Sequence, residues 1–253
     1  MYEHRAVDAQ ALEVRGMHKS FPEPDGRGRV TVLSDVSLAV SQSAFVAIVG
    51  PSGSGKSTLL HCAAGLETPD SGQVLVAGTD VTRFSHAHRA AYRREHVGVV
   101  FQEHNLIGSL TVRDNILLPS RLRGHRLPRF VADQALAHIG LAHRARHRPH
   151  QLSGGEQQRV AIARVLVSKP SIVFADEPTG ALDVSASSTV LRWLRAICAG
   201  GSSVVMVTHD PQAAAIADHV FVMGSGEIRT SLPGGHPERI AEAIVAAQQE
   251  LAC

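Results

Sequence analysis

Short apolar runs rich in β-branched residues recur along the chain, at 30–33, 45–49, 74–76, 97–101, 172–174, 204–207 and 220–223. Their apolarity is continuous rather than alternating, which predicts strands buried on both faces, as in an α/β sheet. Between them lie helical patterns. Val190, Leu191, Leu194, Ile197 and Cys198 share one helical face, and Gly200-Gly201 marks its end. Gly224-Ser225-Gly226 is a turn signal that predicts a hairpin over 220–228. The stretch 103–164 carries helical spacing, as over 117–127, with many Arg and His. It is expected to be a helical subdomain inserted into an α/β core made of 1–102 and 165–235. Ile240, Ile244, Val245 and Leu251 predict an amphipathic helix within the tail 236–253, docked on the chain's own core.

Composition adds limits. A formal charge of +2 over 253 residues is too small to imply a nucleic-acid binder. The His residues cluster in Arg/His-rich stretches such as 144–150 without a tight ligand pattern, so no metal centre is expected from them. Cys62, Cys198 and Cys253 are scattered and odd in number, which points to a reducing compartment rather than a disulfide framework. Met1-Tyr2-Glu3-His4-Arg5 leads into no apolar stretch, so no secretory signal is expected. No apolar run approaches the roughly 20 residues a membrane-crossing helix takes. A soluble, cytoplasmic chain is expected; if it works at a membrane, another polypeptide spans it.

The chemistry concentrates in two places. Gly50-Pro51-Ser52-Gly53-Ser54-Gly55-Lys56-Ser57 matches the G-x-x-x-x-G-K-[ST] phosphate-binding loop. It follows the run ending at Val49 and opens a helix through Thr58, the context that loop requires. Glycines let backbone N–H groups turn around phosphate oxygens, and a helix N-terminus favours negative charge. Lys56 would neutralise the β/γ-phosphates of ATP, and the Ser57 hydroxyl would ligate Mg²⁺. The second place is the apolar run that ends in Asp176-Glu177. Asp176 would hold Mg²⁺ through its water shell, and Glu177 would orient the attacking water.

Between these elements lies Leu152-Ser153-Gly154-Gly155-Glu156-Gln157-Gln158-Arg159. It resembles the signature sequence of ATP-binding cassette (ABC) proteins, and the resemblance extends over nearly the whole chain. Gln102 matches that family's Q-loop, Ala181-Leu182-Asp183 its D-loop, His209 its switch histidine and Phe21 the aromatic that stacks on adenine. All stand in the family's order. Taken singly, His209, Gln102 and Phe21 would read as a surface histidine, a polar loop residue and a core aromatic. The resemblance implies a P-loop NTPase core with an inserted helical subdomain, and two cassettes packed head to tail around two ATP molecules. Ser153, Gly154 and Gly155 of one subunit would face the γ-phosphate held by Lys56 of the other. His209 would hold that phosphate and the water, and Gln102 would approach Mg²⁺. Glu156 stands where many members have Gln.

Within the family, residues 101–116 with Pro119, together with Asp176-Glu177-Pro178-Thr179-Gly180-Ala181-Leu182-Asp183, resemble the branch that drives lipoprotein release, macrolide or peptide export and the related cell-division cassette. That implies a homodimer at the cytoplasmic face of the membrane, driving a separate permease with few membrane helices. Arg121, Arg123, His125, Arg126 and Arg129 form a basic patch that is a solvated surface or a contact for anionic lipid. The competing reading is a soluble cassette acting on nucleic acid or ribosomes. The long coiled-coil insertion or second cassette of such proteins is missing from this sequence. A regulatory module that binds ATP without hydrolysing it is disfavoured by Glu177 and His209.

Overall fold

The computed structural model describes residues 10–23, 26–180 and 182–249. The expectations that rest on residues 1–5, Ala181, Leu251 and Cys253 lie outside them. In chain order the first elements are β1 (Gln10–Pro22), β2 (Arg29–Ser41), β3 (Phe45–Val49), α1 (Lys56–Ala63), β4 (Ser71–Val76), β5 (Thr79–Asp80), α2 (His86–His96) and β6 (Val97–Val100). There follow α3 (Val112–Leu122), α4 (Arg129–His138), α5 (Gly154–Ser168), β7 (Ile172–Asp176), α6 (Val184–Ala199), β8 (Ser203–Val207), α7 (Pro211–Ala214), β9 (His219–Gly224), β10 (Glu227–Pro233) and α8 (Pro237–Gln249).

The continuous apolar runs at β3, β7 and β8 form the middle of a six-stranded sheet of order β10-β9-β3-β8-β7-β6. Neighbouring strands from β9 to β6 are parallel, and β10 returns antiparallel as the expected hairpin. All five residues of β3 and of β8 are buried, because helices or a second sheet cover both faces. On one side α1 and the second sheet close over Val46, Ile48, Phe174 and Val205. On the other, α6, α7 and α8 close over Phe45, Ala47, Val173 and Met206. The tail helix docks as expected, with Ile240 and Ala247 buried against this second face.

The runs at 30–33 and 74–76 depart from the expectation. They lie in a separate antiparallel sheet of order β2-β1-β4-β5. Along β2, Leu33, Val36, Leu38 and Val40 turn inward while Asp35, Ser37 and Ala39 face outward, so one face is wet and the apolarity alternates.

The region after β6 carries no strand up to β7. Its own cluster unites Val112, Ile116 and Leu117 of α3, Ala132 and Leu136 of α4, and Val160 and Ala163 of α5. The helix read over 117–127 instead starts at Val112 and stops at Leu122. Thr111 caps its N-terminus with a bond from the Asp114 N–H (3.1 Å). Residue 164, where the helical insertion was expected to end, lies inside α5. That helix packs on α3 and α4 and also on β6 and α6, tying the helical cluster to the sheet. The basic patch is partly committed to internal bonds. Arg121 pairs with Asp114 at 2.7 Å, and Arg123 donates to the carbonyls of Ser168 (2.7 Å) and Glu95 (3.0 Å), so neither is a free lipid contact.

Candidate functional site

The loop 50–55 bridges β3 and α1 at the end of the parallel strands. Gly50, Gly53 and Gly55 take φ of 151°, 79° and 96°, conformations that only glycine adopts without strain. The Lys56 ammonium is buried and donates to the Gly50 (2.9 Å) and Pro51 (2.7 Å) carbonyls, so it is held across the mouth of the loop. Burial lowers its pKa, while the charges of Glu177 and Asp176 act in the opposite sense. Ser54 is buried within the loop; Ser52 is exposed and Thr58 half-buried. A concave set of backbone amides with a fixed cation at a helix N-terminus is suited to phosphate.

Across from it, the Ser57 hydroxyl donates to Asp176 Oδ1 at 3.0 Å. Asp176 sits at the end of β7, half-buried. Burial raises its carboxyl above the ordinary range, partly offset by the Ser57 bond and by His61, whose Nε2 lies 3.6 Å from Oδ2. These oxygens are a hard donor set, and Mg²⁺ is ordinarily held by one or two such protein oxygens plus phosphate and water, so the residues fit that ion.

Glu177 leaves the strand at φ 44°, a left-handed conformation for a residue with a side chain. Its N–H is fixed on the Val207 carbonyl at 2.9 Å. That strained turn aims the carboxylate at the next strand. Oε1 meets His209 Nδ1 at 2.8 Å, and Oε2 accepts from the Thr208 hydroxyl at 3.2 Å. Glu177, Thr208 and His209 line an open cleft of about 980 Å³ that continues along α6. A carboxylate backed by an imidazole and a hydroxyl can accept a proton from water and hold it in place.

The other expected residues are distributed around this centre. Gln102 is exposed in the turn after β6, the strand paired with β7. Phe21 lies at the end of β1, 36% exposed, with Lys19 Nζ 4.8 Å from its ring centroid. Ser153, Gly154 and Gly155 open α5, and Ser153 accepts the Glu156 N–H as its N-cap. Ser153 and Gly155 line a different cleft, of about 490 Å³, shared with Asp183. Asp183 caps α6 by accepting the Ala186 N–H at 2.8 Å. Within one chain, then, the signature residues line a different cleft from Glu177 and His209, the two clefts meeting at Leu182.

Sequence reasoning assigned no role to several residues. Thr208 is fully buried beside His209. Buried Gln158 donates to the Pro178 carbonyl at 2.8 Å, linking α5 to the residue after Glu177. His61 follows Ser57 by one helical turn, an i, i+4 spacing that could have flagged it. Arg164 of α5 donates to the carbonyls of Asn105 (2.9 Å) and His104 (3.3 Å), the two left-handed residues after Gln102.

A family model for ABC transporters matches residues 33–180. The lipoprotein-releasing system ATP-binding protein LolD of Shewanella oneidensis is 43% identical over 221 residues, 86% of this chain and 95% of that protein. The macrolide export ATP-binding/permease protein MacB of Neisseria meningitidis serogroup B is 41% identical over 241 residues. That match takes in 91% of this chain, which spans only 37% of the length of the MacB relative. A solved dimeric ATP-binding cassette in a post-hydrolysis state, bound to ADP and Pi, shares the fold with a TM-score of 0.82. It is 34% identical, over 88% of this chain and 98% of that one. On these likenesses, and on the loop, strand and signature that carry them, the chain belongs to the ABC transporter family, as one of its ATP-binding, ATP-hydrolysing cassettes.

Proposed function

We propose that the chain is the nucleotide-binding subunit of a membrane complex, pairing head to tail with a second copy so that two ATP molecules lie between them. The observation that carries the reading is the separation just described. Ser153 and Gly155, at the N-terminus of α5, line one cleft, while Lys56, Asp176 and Glu177 lie close to one another outside its lining. A second copy can bring the first set onto the phosphate held by the second. The dimeric cassette of similar fold supports this arrangement.

In this reading the amides of Gly50 to Thr58 cradle the phosphates, with Lys56 on the β/γ-oxygens and Phe21 against adenine. Ser57, Asp176 and Gln102 hold Mg²⁺, which when bound draws charge from the phosphate oxygens. Glu177 orients a water whose oxygen attacks the γ-phosphorus; the bond to the ADP oxygen breaks and the water's proton passes toward Glu177. His209 keeps Glu177 and the γ-phosphate in register, and Asp183 contributes from the facing subunit. The groove between the α/β core and the helical region, near Gln102 to Val112, receives the membrane partner. LolD, a relative matched over 95% of its length, is named as an ATP-binding protein alone, which favours a permease on another chain and a place at the cytoplasmic membrane face.

Glu177→Gln keeps the size, and its amide oxygen can still accept from the Thr208 hydroxyl, but it removes the base. Steady-state ATP turnover should fall by roughly 10²- to 10⁴-fold, and sedimentation with MgATP should show a dimer that ADP does not support. Turnover near that of the parent, or no ATP-dependent dimer, overturns the reading.

A further inference from the structure

Glu156 stands three residues into the signature and uses both carboxylate oxygens. Oε2 accepts the Ser153 N–H at 2.8 Å, and Oε1 accepts Arg144 Nε–H at 3.2 Å. Ser153 Oγ in return accepts the Glu156 N–H at 3.3 Å, completing a capping box. Arg144 comes from a separate short turn, Ala142–Arg144, after α4, and its Nη1 lies 3.2 Å from His147 Nε2. The Glu156 side chain is only 14% exposed, while that of Arg144 is 32% exposed and reaches solvent. The Ser153 bond, and after it Arg144, holds the Glu156 carboxyl below the usual range. It is therefore charged at neutral pH.

This creates an electrostatic conflict. The start of α5 is the end that the paired-cassette reading presents to a γ-phosphate, offering the Ser153 hydroxyl and the Gly154 and Gly155 amides. A carboxylate within one turn of it steadies the helix yet repels an incoming anion. We infer that Arg144 is a positioning residue for ATP across the subunit boundary: it neutralises Glu156 and fixes the capping box, so that the signature can receive an anion. Where a chain carries Gln at this position, the box survives without the charge and the guanidinium has nothing to offset. The requirement for Arg144 is thus tied to the Glu at 156. The inference rests on the paired-cassette reading.

The test uses the full chain with Glu177→Gln as parent, and compares Arg144→Gln, Glu156→Gln and the double variant Arg144→Gln/Glu156→Gln. The MgATP concentration giving half-maximal dimer is read by sedimentation, and fluorescent ADP binding to the monomer serves as a second readout. Arg144→Gln should require roughly three- to tenfold more MgATP, with ADP binding unchanged. Glu156→Gln in that background should restore the parent's value to within about twofold, because Gln still accepts the Ser153 N–H. Failure of the double variant to recover means that Arg144 is only a strut and overturns the inference. So does an Arg144→Gln variant that dimerises like the parent, or one that loses ADP binding in step. A parent that forms no dimer overturns the paired-cassette reading and this inference with it, whereas a parent dimer indifferent to Arg144 overturns this inference alone.

Discussion

A Cβ built on Gly50 would lie 2.2 Å from the Met223 carbonyl oxygen, and one on Gly55 would lie 2.7 Å from that of Val32. Both obstacles are backbone, in β9 and β2, and neither can swing aside. A Cβ on Gly53 would meet nothing within 4 Å. The pattern of the loop was legible because phosphate chemistry constrains residue types at fixed spacing, but it ascribed every glycine to the phosphate. Two of them also answer to the strands pressing on the loop from behind, and no single stretch of sequence records that neighbour. Gly50→Ala adds a backbone clash to its φ penalty, together about 3 kcal/mol or more, while Gly53→Ala carries only about 1–2 kcal/mol from its positive φ. At roughly 2–4 °C per kcal/mol for a chain of this size, calorimetry should show a melting point at least about 6 °C lower for Gly50→Ala. Gly53→Ala should lose roughly a third to two thirds of that. Equal losses would mean that the close approach to Met223 does not govern this position. Glu177 makes the same point about legibility: its place at a strand end was readable, its left-handed backbone was not.

At the scale of elements, buried parallel strands were the easiest to read, since each is a continuous apolar run with a sharp end. β1 was not read at all. Its inward residues are Leu12, Val14, Met17 and Lys19, and the register slips between Val14 and Met17, where Gly16 is left-handed at φ 55°. The bulge breaks the alternation on which recognition of a half-buried strand depends. α2 was missed for a different reason. It buries no residue fully, and it is held by the Ser85 cap and by the Tyr92 hydroxyl donating to the Val76 carbonyl at 2.7 Å. By contrast α8 shows its apolar stripe openly. Ile240 is fully buried on the face formed with α7 and β9, whereas Val245 is 52% exposed. Ile240→Ala should therefore cost about 2–5 kcal/mol by the loss of packed volume. Val245→Ala should stay within about 0.5 kcal/mol. Urea unfolding reads both: the Ile240 variant should shift the midpoint with the slope unchanged. A midpoint equal to the parent's would mean that α8 contributes nothing to the core.

For the whole molecule, the question is where the work of hydrolysis is delivered. No described helix is long and apolar enough to cross a membrane. A nucleic-acid target would need a field of positive charge, since affinity for phosphate backbones scales with the cations that displace counterions. A formal charge of +2 gives little of that, and Arg121 and Arg123 of the basic stretch 121–129 are spent on Asp114 and on backbone carbonyls. The left-handed residues His104 and Asn105, which follow Gln102 in the chain, are held by Arg164 of α5, the same helix that begins with the signature. A push on the helical region by a membrane partner would thus reach the nucleotide loop and the signature together, through one rigid element. Tagged Glu177→Gln protein, incubated with native membranes and MgATP, should co-purify a polypeptide with few membrane-spanning helices and a large extracytoplasmic domain. The yield should drop with ADP if, as proposed, ATP is what holds two copies together. Recovery of ribosomes or nucleic acid without any membrane protein would remove the permease from the proposal. The ATPase chemistry proposed for Lys56, Asp176 and Glu177 would stand, because it depends on the closeness of those groups and not on the target.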